Sequence, residues 1–241
     1  MVFVVGAATL GTEIAAARLL APWFGASTIV WANTIATVLI ALSAGYWLGG
    51  RLADGNPTMR GLSRIVLAAG VLLAIVPFVA GPFLRVSVDA LDDVEAGAFV
   101  GSLVGVMFLL AVPVLLLGCV APYAIRLSVE DIRRSGTVSG RLYAISTLGS
   151  LTGVFLAALL LVPLVGTRRT FLIFALAVVL VGAWGLRRAA LGAVPLLIAG
   201  LLAVPTGTLK DEDGVTILAE AETECQYARG EQTAVGTIRL Q

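Results

Sequence analysis

The chain of 241 residues contains no histidine and only two cysteines, Cys119 and Cys225. Two cysteines are too few for a disulfide framework or a thiolate metal site, and zinc sites usually draw on histidine as well. No phosphate-binding loop, no nucleophile beside a base and no pair of carboxylates is recognisable in the sequence. The sequence therefore predicts neither a metal site nor a complete active site.

Charge is also scarce. Charged residues make up 13% of the chain and the net charge is +1, whereas hydrophobic residues make up 59% and the mean hydropathy is +1.01. A near-neutral chain without a basic stripe is not expected to bind nucleic acid. Because a soluble protein needs a charged surface, this composition indicates a membrane protein whose main partner is the lipid bilayer. We expect it in the cell membrane.

Apolar runs of about 20 residues, the length that a helix needs to cross a bilayer, recur along the chain. They predict an all-α polytopic (multi-pass) membrane protein, a helical bundle of about seven spans that occupies residues 1–207. The predicted spans lie near residues 1–20, 28–50, 61–84, 98–120, 142–166, 170–186 and 189–206.

Arginine and lysine are unequally divided between the two ends of these spans. Nine lie near span ends on the side of the amino terminus and five on the other side. By the positive-inside rule, the side with nine is cytoplasmic. With seven spans the tail from Thr208 onward would lie outside the cell. If residues 189–206 do not cross the membrane, the tail would lie in the cytoplasm.

The tail, residues 208–241, differs in composition from everything before it. Short stretches of β-branched and alternating residues flank a polar turn, which predicts a short β-rich segment such as a hairpin. About 30 residues cannot form a hydrophobic core of their own. We therefore expect the tail to be the truncated start of a further domain.

Glu13 is an acidic residue inside the first predicted span. A carboxylate at membrane depth is costly and usually faces the bundle interior or a wet cavity. Thr9, one helical turn earlier, and two alanines one turn later form a small, partly polar face with it. Arg18 lies off this face and can extend to the membrane interface, and Asn33 in the second span is a candidate neutral partner. Glu13 is either a functional carboxylate or a hydrogen-bonded link between helices.

Small residues recur at helical spacing in two further spans. Gly45 and Gly49 end the second span, and Gly149 and Gly153 continue a stripe of small residues in the fifth. Glycines four residues apart let helix backbones approach closely, so these four predict helix-packing contacts. Arg51 and Asp54, which follow Gly49, can cap helix ends and form an ion pair across the loop.

Three stretches of the sequence together resemble a known family. "EIAAARLLAPWFGAS", "ALSAGYWLGGRLADG" and "GRLYAISTLGSLTGVFLAALLLVPLVGTRRTF" are similar to the membrane portion of the fused membrane-protein/spermidine-synthase-like family, over most of residues 5–175. The resemblance implies a multispan region followed by a soluble domain like that of the aminopropyltransferases, transferases of polyamine biosynthesis.

The tail sequence "AETECQYARGEQTAVGTIRL" resembles the first strands of spermidine synthases. This resemblance implies that Gln226 contacts the thioadenosine part of the aminopropyl donor, decarboxylated S-adenosylmethionine. The family's glycine-rich turn, its ribose-binding acidic residue and its aspartate base are not among these 241 residues. We therefore expect no catalytic residue and no cofactor in this chain alone, and whether the complete protein is an enzyme stays open.

Two alternatives belong to other classes of protein. "GYWLGGRLADG" also resembles the glycine-and-aspartate loop of transporters of the major facilitator group, and Glu13 would then be the coupling or substrate carboxylate. Because about seven spans fall short of the usual twelve, such a transporter would need a homo-oligomer or a missing half. The other alternative is a membrane anchor that recruits a partner through its tail.

Overall fold

The computed structural model describes residues 1–25, 27–89, 97–129, 131–186, 193–203, 215–222, 227–233 and 238–240. Within these ranges the α-helices are α1 (Val2–Phe24), α2 (Thr28–Gly55), α3 (Met59–Asp89), α4 (Gly97–Gly118), α5 (Val120–Ser128), α6 (Ser135–Phe155), α7 (Val162–Val165), α8 (Thr167–Leu186) and α9 (Ala193–Ala203). A 3-10 turn, Ile132–Arg134, precedes α6, and a π-helical segment, Leu156–Leu161, joins α6 to α7.

Six helical stretches among the described residues are long and apolar enough to cross a membrane. Four are α1, α2, α3 and α8, and two are composite, α4 with α5 and the 3-10 turn through α7. The helical, multi-pass character that the composition predicts is thus present, and six of the predicted spans have a counterpart among the described residues.

The seventh predicted span is represented by α9. Its 11 residues extend roughly 16 Å at about 1.5 Å per residue, whereas the hydrocarbon core of a bilayer is about 30 Å thick. The described helix is too short to cross. Residues 187–192 and 204–214, on either side of it, lie outside the described part of the chain.

Three short strands follow, β1 (Val215–Glu222), β2 (Tyr227–Thr233) and β3 (Ile238–Leu240), which pair antiparallel in that order. That residues 208–241 begin a second domain stays a prediction. Gln226, the residue that the resemblance places at the donor, lies outside the described residues.

Two glycines end helices where the chain turns between spans. Gly25 after α1 and Gly166 after α7 have φ angles of 77° and 83°, a left-handed conformation that glycine adopts without steric cost. After Gly25, α2 starts at once because the hydroxyl of Ser27 accepts a hydrogen bond from the Val30 amide at 3.4 Å.

Close contacts show how the spans run relative to one another. α1 and α6 are parallel, because Phe3 lies opposite Gly149 and Ala7 opposite Gly153. α2 and α4 are also parallel, since Asn33 contacts the start of α4 and Gly45 lies against its end. Alternating spans therefore return the chain at Leu186 to the side on which Met1 lies.

We call the end of the bundle that holds Met1 the proximal end and the other the distal end. Among the described residues, seven arginines lie near the proximal end and four near the distal end. The proximal ones are Arg51, Arg60, Arg64, Arg126, Arg133, Arg134 and Arg141, and the distal ones are Arg18, Arg85, Arg168 and Arg169. The positive-inside rule predicts that the proximal end is cytoplasmic.

The buried side chains form two clusters, one above the other. The proximal cluster joins α1, α3, α5 and α8 and includes Val5, Val66 and Val178. The distal cluster joins α1 to α4 and the start of α8 and includes Leu84 and Phe171. Along α1 the change from one cluster to the other falls between residues 14 and 15, next to Glu13.

Candidate functional site: a polar cavity and an intramembrane carboxylate

Glu13 lies in the middle of α1, half-buried, at the level where the two clusters meet. Thr9, one turn before it, and Ala16 and Ala17, about one turn after it, are buried. Within the described part of the chain, no hydrogen bond or ion pair is found for the Glu13 carboxylate. Its oxygens are therefore available to a solute or a proton.

The two polar residues that the sequence offered as neighbours of Glu13 are placed elsewhere. The side-chain amide of Asn33 donates to the carbonyl of Phe99 at 2.9 Å and to the hydroxyl of Ser102 at 2.8 Å. Asn33 thus links α2 to α4 and does not serve Glu13. Arg18 is half-buried five residues beyond Glu13, and these two residues form no ion pair in the described structure.

The parallel packing of α1 and α6 sets the surroundings of Glu13. Phe3 opposite Gly149 and Ala7 opposite Gly153 fix the register of the two helices. Continued along both, this register brings Glu13 level with the π-helical segment Leu156–Leu161. π-helical turns inside α-helices are frequent at functional sites because they leave the regular hydrogen-bond ladder.

A cavity of about 280 Å³ lies in the proximal half of the bundle, among α1, α2, the end of α4, α5 and α6. Five hydroxyl-bearing residues line it, namely Thr9, Tyr46, Ser146, Thr147 and Ser150. Its other walls are valine, leucine, alanine and glycine, and no charged residue is among the described residues that line it. The volume is at the small end of ligand pockets, so it suits a solute of few heavy atoms. Thr9 connects this cavity to Glu13, one turn farther along α1.

Two of these hydroxyls have their protons engaged by the backbone of α1. Thr9 donates to the carbonyl of Val5 at 2.8 Å, and Ser150 donates to the carbonyl of Gly6 at 3.2 Å. A hydroxyl has one proton and two lone pairs. Both side chains can therefore offer only lone pairs to a molecule in the cavity.

The junction of α4 and α5 contributes Leu117, Gly118, Val120 and Ala121 to the wall of the cavity. Gly118 lines the cavity, and the residue four positions later is Pro122, which has no amide N–H to donate to the Gly118 carbonyl. The helix continues past this point because the amides of Cys119 and Tyr123 reach Leu115 and Cys119 at 3.1 and 3.3 Å. The regular helical hydrogen bond from residue 122 to Gly118 is thus missing where Gly118 lines the cavity.

The four glycines singled out for helix packing lie where the walls of the cavity cross. A Cβ atom on Gly45 or Gly49 would collide with the backbone of the α4–α5 junction. A Cβ atom on Gly149 or Gly153 would collide with the backbone of α1. These collisions are with backbone atoms, which cannot rotate away, so glycine is required for the helices to come this close.

Charged residues at the proximal end pair outside the cavity. Asp54 at the end of α2 forms an ion pair with Arg126 of α5, with a nitrogen–oxygen distance of 3.6 Å. Arg51 lies over the ring of Trp47, with 4.2 Å from its guanidinium carbon to the ring centre. Because the Asp54–Arg126 pair is exposed, it contributes little to stability, about 1 kcal/mol or less. This ion pair links α2 to α5 at the proximal end of the bundle.

In the sequence, Thr9 belongs to the small face around Glu13, and Ser146 and Ser150 belong to the same stripe of small residues as Gly149 and Gly153. Tyr46 and Gly118 were not singled out. A signal for the latter was present, since a proline four residues after a glycine in an apolar span leaves the glycine carbonyl without its helical partner. No comparable signal in the sequence brings α2 and α6 to the same cavity.

Among the described residues no group of three or more histidine, cysteine, aspartate or glutamate side chains could hold a metal ion. Cys119 is buried and has no disulfide partner, and Cys225 lies outside the described residues. No family model, no curated protein and no solved structure matches the chain.

Proposed function

We propose that the chain is the integral membrane domain of a spermidine-synthase-like protein. The support comes from where the three resembling stretches lie. They fall in α1, in α2 and in the span from α6 to the start of α8. The observation that carries the proposal is that α1, α2 and α6 meet around one cavity, so the stretches belong to helices that build a common structure.

In this proposal the bundle holds an attached aminopropyltransferase-like domain at the cell membrane. The donor would be decarboxylated S-adenosylmethionine, bound by the attached domain with Gln226 at its thioadenosine part. The membrane domain would supply anchorage and would hold a small solute next to the attached domain. The cavity opens in the proximal half, which the positive-inside rule places toward the cytoplasm.

Aminopropyl transfer by the protein as its gene encodes it, reconstituted in lipid, tests this proposal. We expect transfer from decarboxylated S-adenosylmethionine to a diamine, and loss of at least about tenfold in Gln226→Ala, because a hydrogen bond to the donor is removed. Gln232→Ala, a second glutamine of the tail, is the matched control. A reconstituted protein that binds no thioadenosine compound would refute the proposal.

A second function, transport by a small carrier resembling the major facilitator group, is favoured by Glu13. Its carboxylate is half-buried at membrane depth without a protein partner in the described structure, one turn from Thr9 of the cavity. Such carboxylates commonly relay protons or bind substrate. The six described spans would then form half of the usual bundle, so this function also implies a homo-oligomer or a further half.

Proton flux into proteoliposomes tests this second function. With a pH-sensitive dye inside and an imposed potassium diffusion potential, a proton-coupled carrier should acidify the lumen, and Glu13→Gln should abolish the signal. Asp54→Asn changes an exposed carboxylate at the helix end and should leave the flux intact. Equal flux in Glu13→Gln and the unmodified protein would eliminate Glu13 as the coupling group.

A further inference from the structure

The cavity of the proximal half opens sideways, between α2 and α6. Both helices pack against α1 and α5, but they have no extended contact with each other within the described structure. Tyr46 of α2 and Thr147 of α6 line the cavity, yet Tyr46 is 46% exposed and Thr147 is exposed as well. Because lipid surrounds the flanks of spanning helices, the mouth of the cavity, which these two residues form, faces the bilayer.

The mouth lies near the proximal edge of the hydrocarbon core. On α1 the lining runs from Val2, the first helical residue, to Leu10, which is roughly the first 12 Å of the helix. Two exposed aromatic residues, Trp47 of α2 and Tyr143 of α6, lie within about one turn of the mouth. Tryptophan and tyrosine are enriched where the hydrocarbon meets the headgroups. The cavity therefore lies at the depth of the glycerol esters of the lipids.

The hydroxyls of the cavity fall into two groups. Thr9 and Ser150 donate their protons to carbonyls of α1 at 2.8 and 3.2 Å, so on the side of α1 the cavity offers only acceptors. Within the described structure no hydrogen bond is found for the hydroxyls of Tyr46, Ser146 and Thr147. These three lie on α2 and α6, the two helices beside the mouth. Each keeps a proton for an acceptor that enters there.

We propose that this cavity binds the ester region of a membrane glycerolipid from the proximal leaflet. Ester carbonyls are neutral groups that accept hydrogen bonds and donate none, which complements the free protons of Tyr46, Ser146 and Thr147. The described lining holds no charged residue, so a phosphate or ammonium headgroup finds no counter-ion inside. A volume at the small end of ligand pockets suits the ester region, with the rest of the lipid outside.

The acyl chains have an apolar path away from the mouth. Ile35 and Leu39 lie on the same face of α2 as Tyr46, toward the distal end, and both are exposed. Leu151 of α6, one turn beyond Thr147, is exposed as well. A chain that leaves the cavity along these side chains stays in the hydrocarbon core.

This inference goes beyond both proposed functions, because it requires neither aminopropyl transfer nor ion flux. It places a lipid in the cavity in place of a free solute. Absence of transfer or of flux, with lipid binding intact, would remove the corresponding proposed function and leave the lipid site standing. Absence of the lipid preference described below would remove the site and leave the anchorage of an attached domain standing.

The first test compares two lipids that differ only in the ester carbonyls. The purified, delipidated protein in detergent is titrated with dioleoyl phosphatidylcholine and with the diether lipid of the same headgroup and chains, and native mass spectrometry measures the bound lipid. Because the diether offers no carbonyl to the hydroxyls, we expect the diester to bind at least about tenfold more tightly. Equal binding of the two lipids, or no binding of the diester, would overturn the proposal.

Two substitutions then locate the ester contacts. Tyr46→Phe and Thr147→Val together remove one hydroxyl from each side of the mouth and should lower the preference for the diester to about threefold or less. Ser43→Ala with Thr152→Val is the matched control on the same two helices. These exposed hydroxyls bond within their own helices at 2.8 Å and do not line the cavity, so the control should keep the full preference. A folded double variant that also keeps it would refute this site.

Gel filtration and thermal unfolding establish that each variant is folded before it is titrated. Both substituted side chains are exposed, so the double variant is expected to fold. Tyr46→Phe alone is decisive where the double variant does not fold, and it should lower the preference for the diester by at least about threefold. An unchanged preference in folded Tyr46→Phe would show that the ester region does not bind at this mouth.

Discussion

The proximal and distal halves of the bundle are both made of apolar helices, yet they are filled differently. In the proximal half, α1, α2, α5 and α6 leave a cavity of about 280 Å³ with five hydroxyl-bearing residues in its lining. In the distal half, the corresponding space between α1, α3, α4 and α8 is a void of about 10 Å³ lined only by aliphatic side chains and Phe171. Because α1 contributes to both spaces, the difference in their volume and lining comes largely from the helices that pack against it.

Small residues have different roles in the two halves of the bundle. In the distal half, the small side chains of Ala15 and Ala16 lie beside large ones, and Phe171 and Leu110 leave a void of only about 10 Å³. In the proximal half, the glycines of α2 and α6 bring backbones together and the space beside them stays open. Because lipid is as apolar as leucine, close packing is what stabilises helices in a membrane. We therefore expect stability to depend chiefly on the distal half and on the glycine crossings.

The largest effect is expected from Gly153→Leu at the crossing of α1 and α6. A Cβ atom there would collide with the backbone of Ala7, and backbone atoms cannot move aside as a side chain can. We expect loss of the folded protein, measured as the monodisperse fraction after extraction in mild detergent. Gly140→Leu is the control on the same helix, because its Cβ would meet open space. Equal behaviour of the two variants would contradict the close crossing.

Phe171→Ala should have the next largest effect. Phe171 is fully buried in the distal cluster, and its removal leaves a void that the neighbours fill only in part, at a cost of about 3–5 kcal/mol. Phe78→Ala on α3 removes the same ring from a side chain that is 50% exposed and should cost much less. Reversible unfolding in mixed micelles measures both. A similar cost for the two would show that the distal half is not the tightly packed one.

Asn33→Ala removes the polar link between α2 and α4 in the distal half. Two hydrogen bonds, at 2.9 and 2.8 Å, are lost, and bonds of this kind in membranes contribute about 0.6–2 kcal/mol. We expect a loss of stability in that range in the same unfolding assay. Ser43→Ala, which removes an exposed hydroxyl that bonds within its own helix, serves as the control. No difference between Asn33→Ala and Ser43→Ala would mean that the α2–α4 link is not stabilising.

The smallest effect on stability is expected from Tyr46→Phe in the proximal half. Tyr46 lines the cavity and its side chain is 46% exposed, so the unfolding free energy should change by less than about 0.5 kcal/mol. A large loss of stability would instead make Tyr46 a structural residue and would weaken the contrast between the two halves.

Features that depend on neighbouring residues could be predicted from the sequence. The spans follow from composition, and the close approach of Gly45, Gly49, Gly149 and Gly153 to other helices follows from their spacing. The apolar run at residues 189–206 has the composition of a span, and the structure describes an 11-residue helix within it, so the seventh span stays a prediction. Hydropathy reports how apolar a segment is, and it does not report where the helix ends.

Contacts between distant residues could not be predicted in the same way. Asn33 was a candidate partner for Glu13 because both are polar and lie inside spans. The structure instead joins it to Ser102, 69 residues away. Likewise Asp54 pairs with Arg126 of another helix. Which polar groups meet depends on helix crossings and on the register of parallel spans, and these are not encoded in the periodicity of one segment.

The sequence by itself therefore indicated that lipid surrounds most of the chain and that its apolar segments are helices. It also determined the positions at which helices can come closest and the presence of a carboxylate within an apolar span. These properties depend on the polarity and size of residues within about one or two helical turns. Only the tertiary structure decided that Thr9, Tyr46, Gly118 and Ser150 share one cavity, because that requires four helices to cross at particular levels. The physical reason is that a cavity is a property of the space between elements, whereas a sequence pattern describes each element separately.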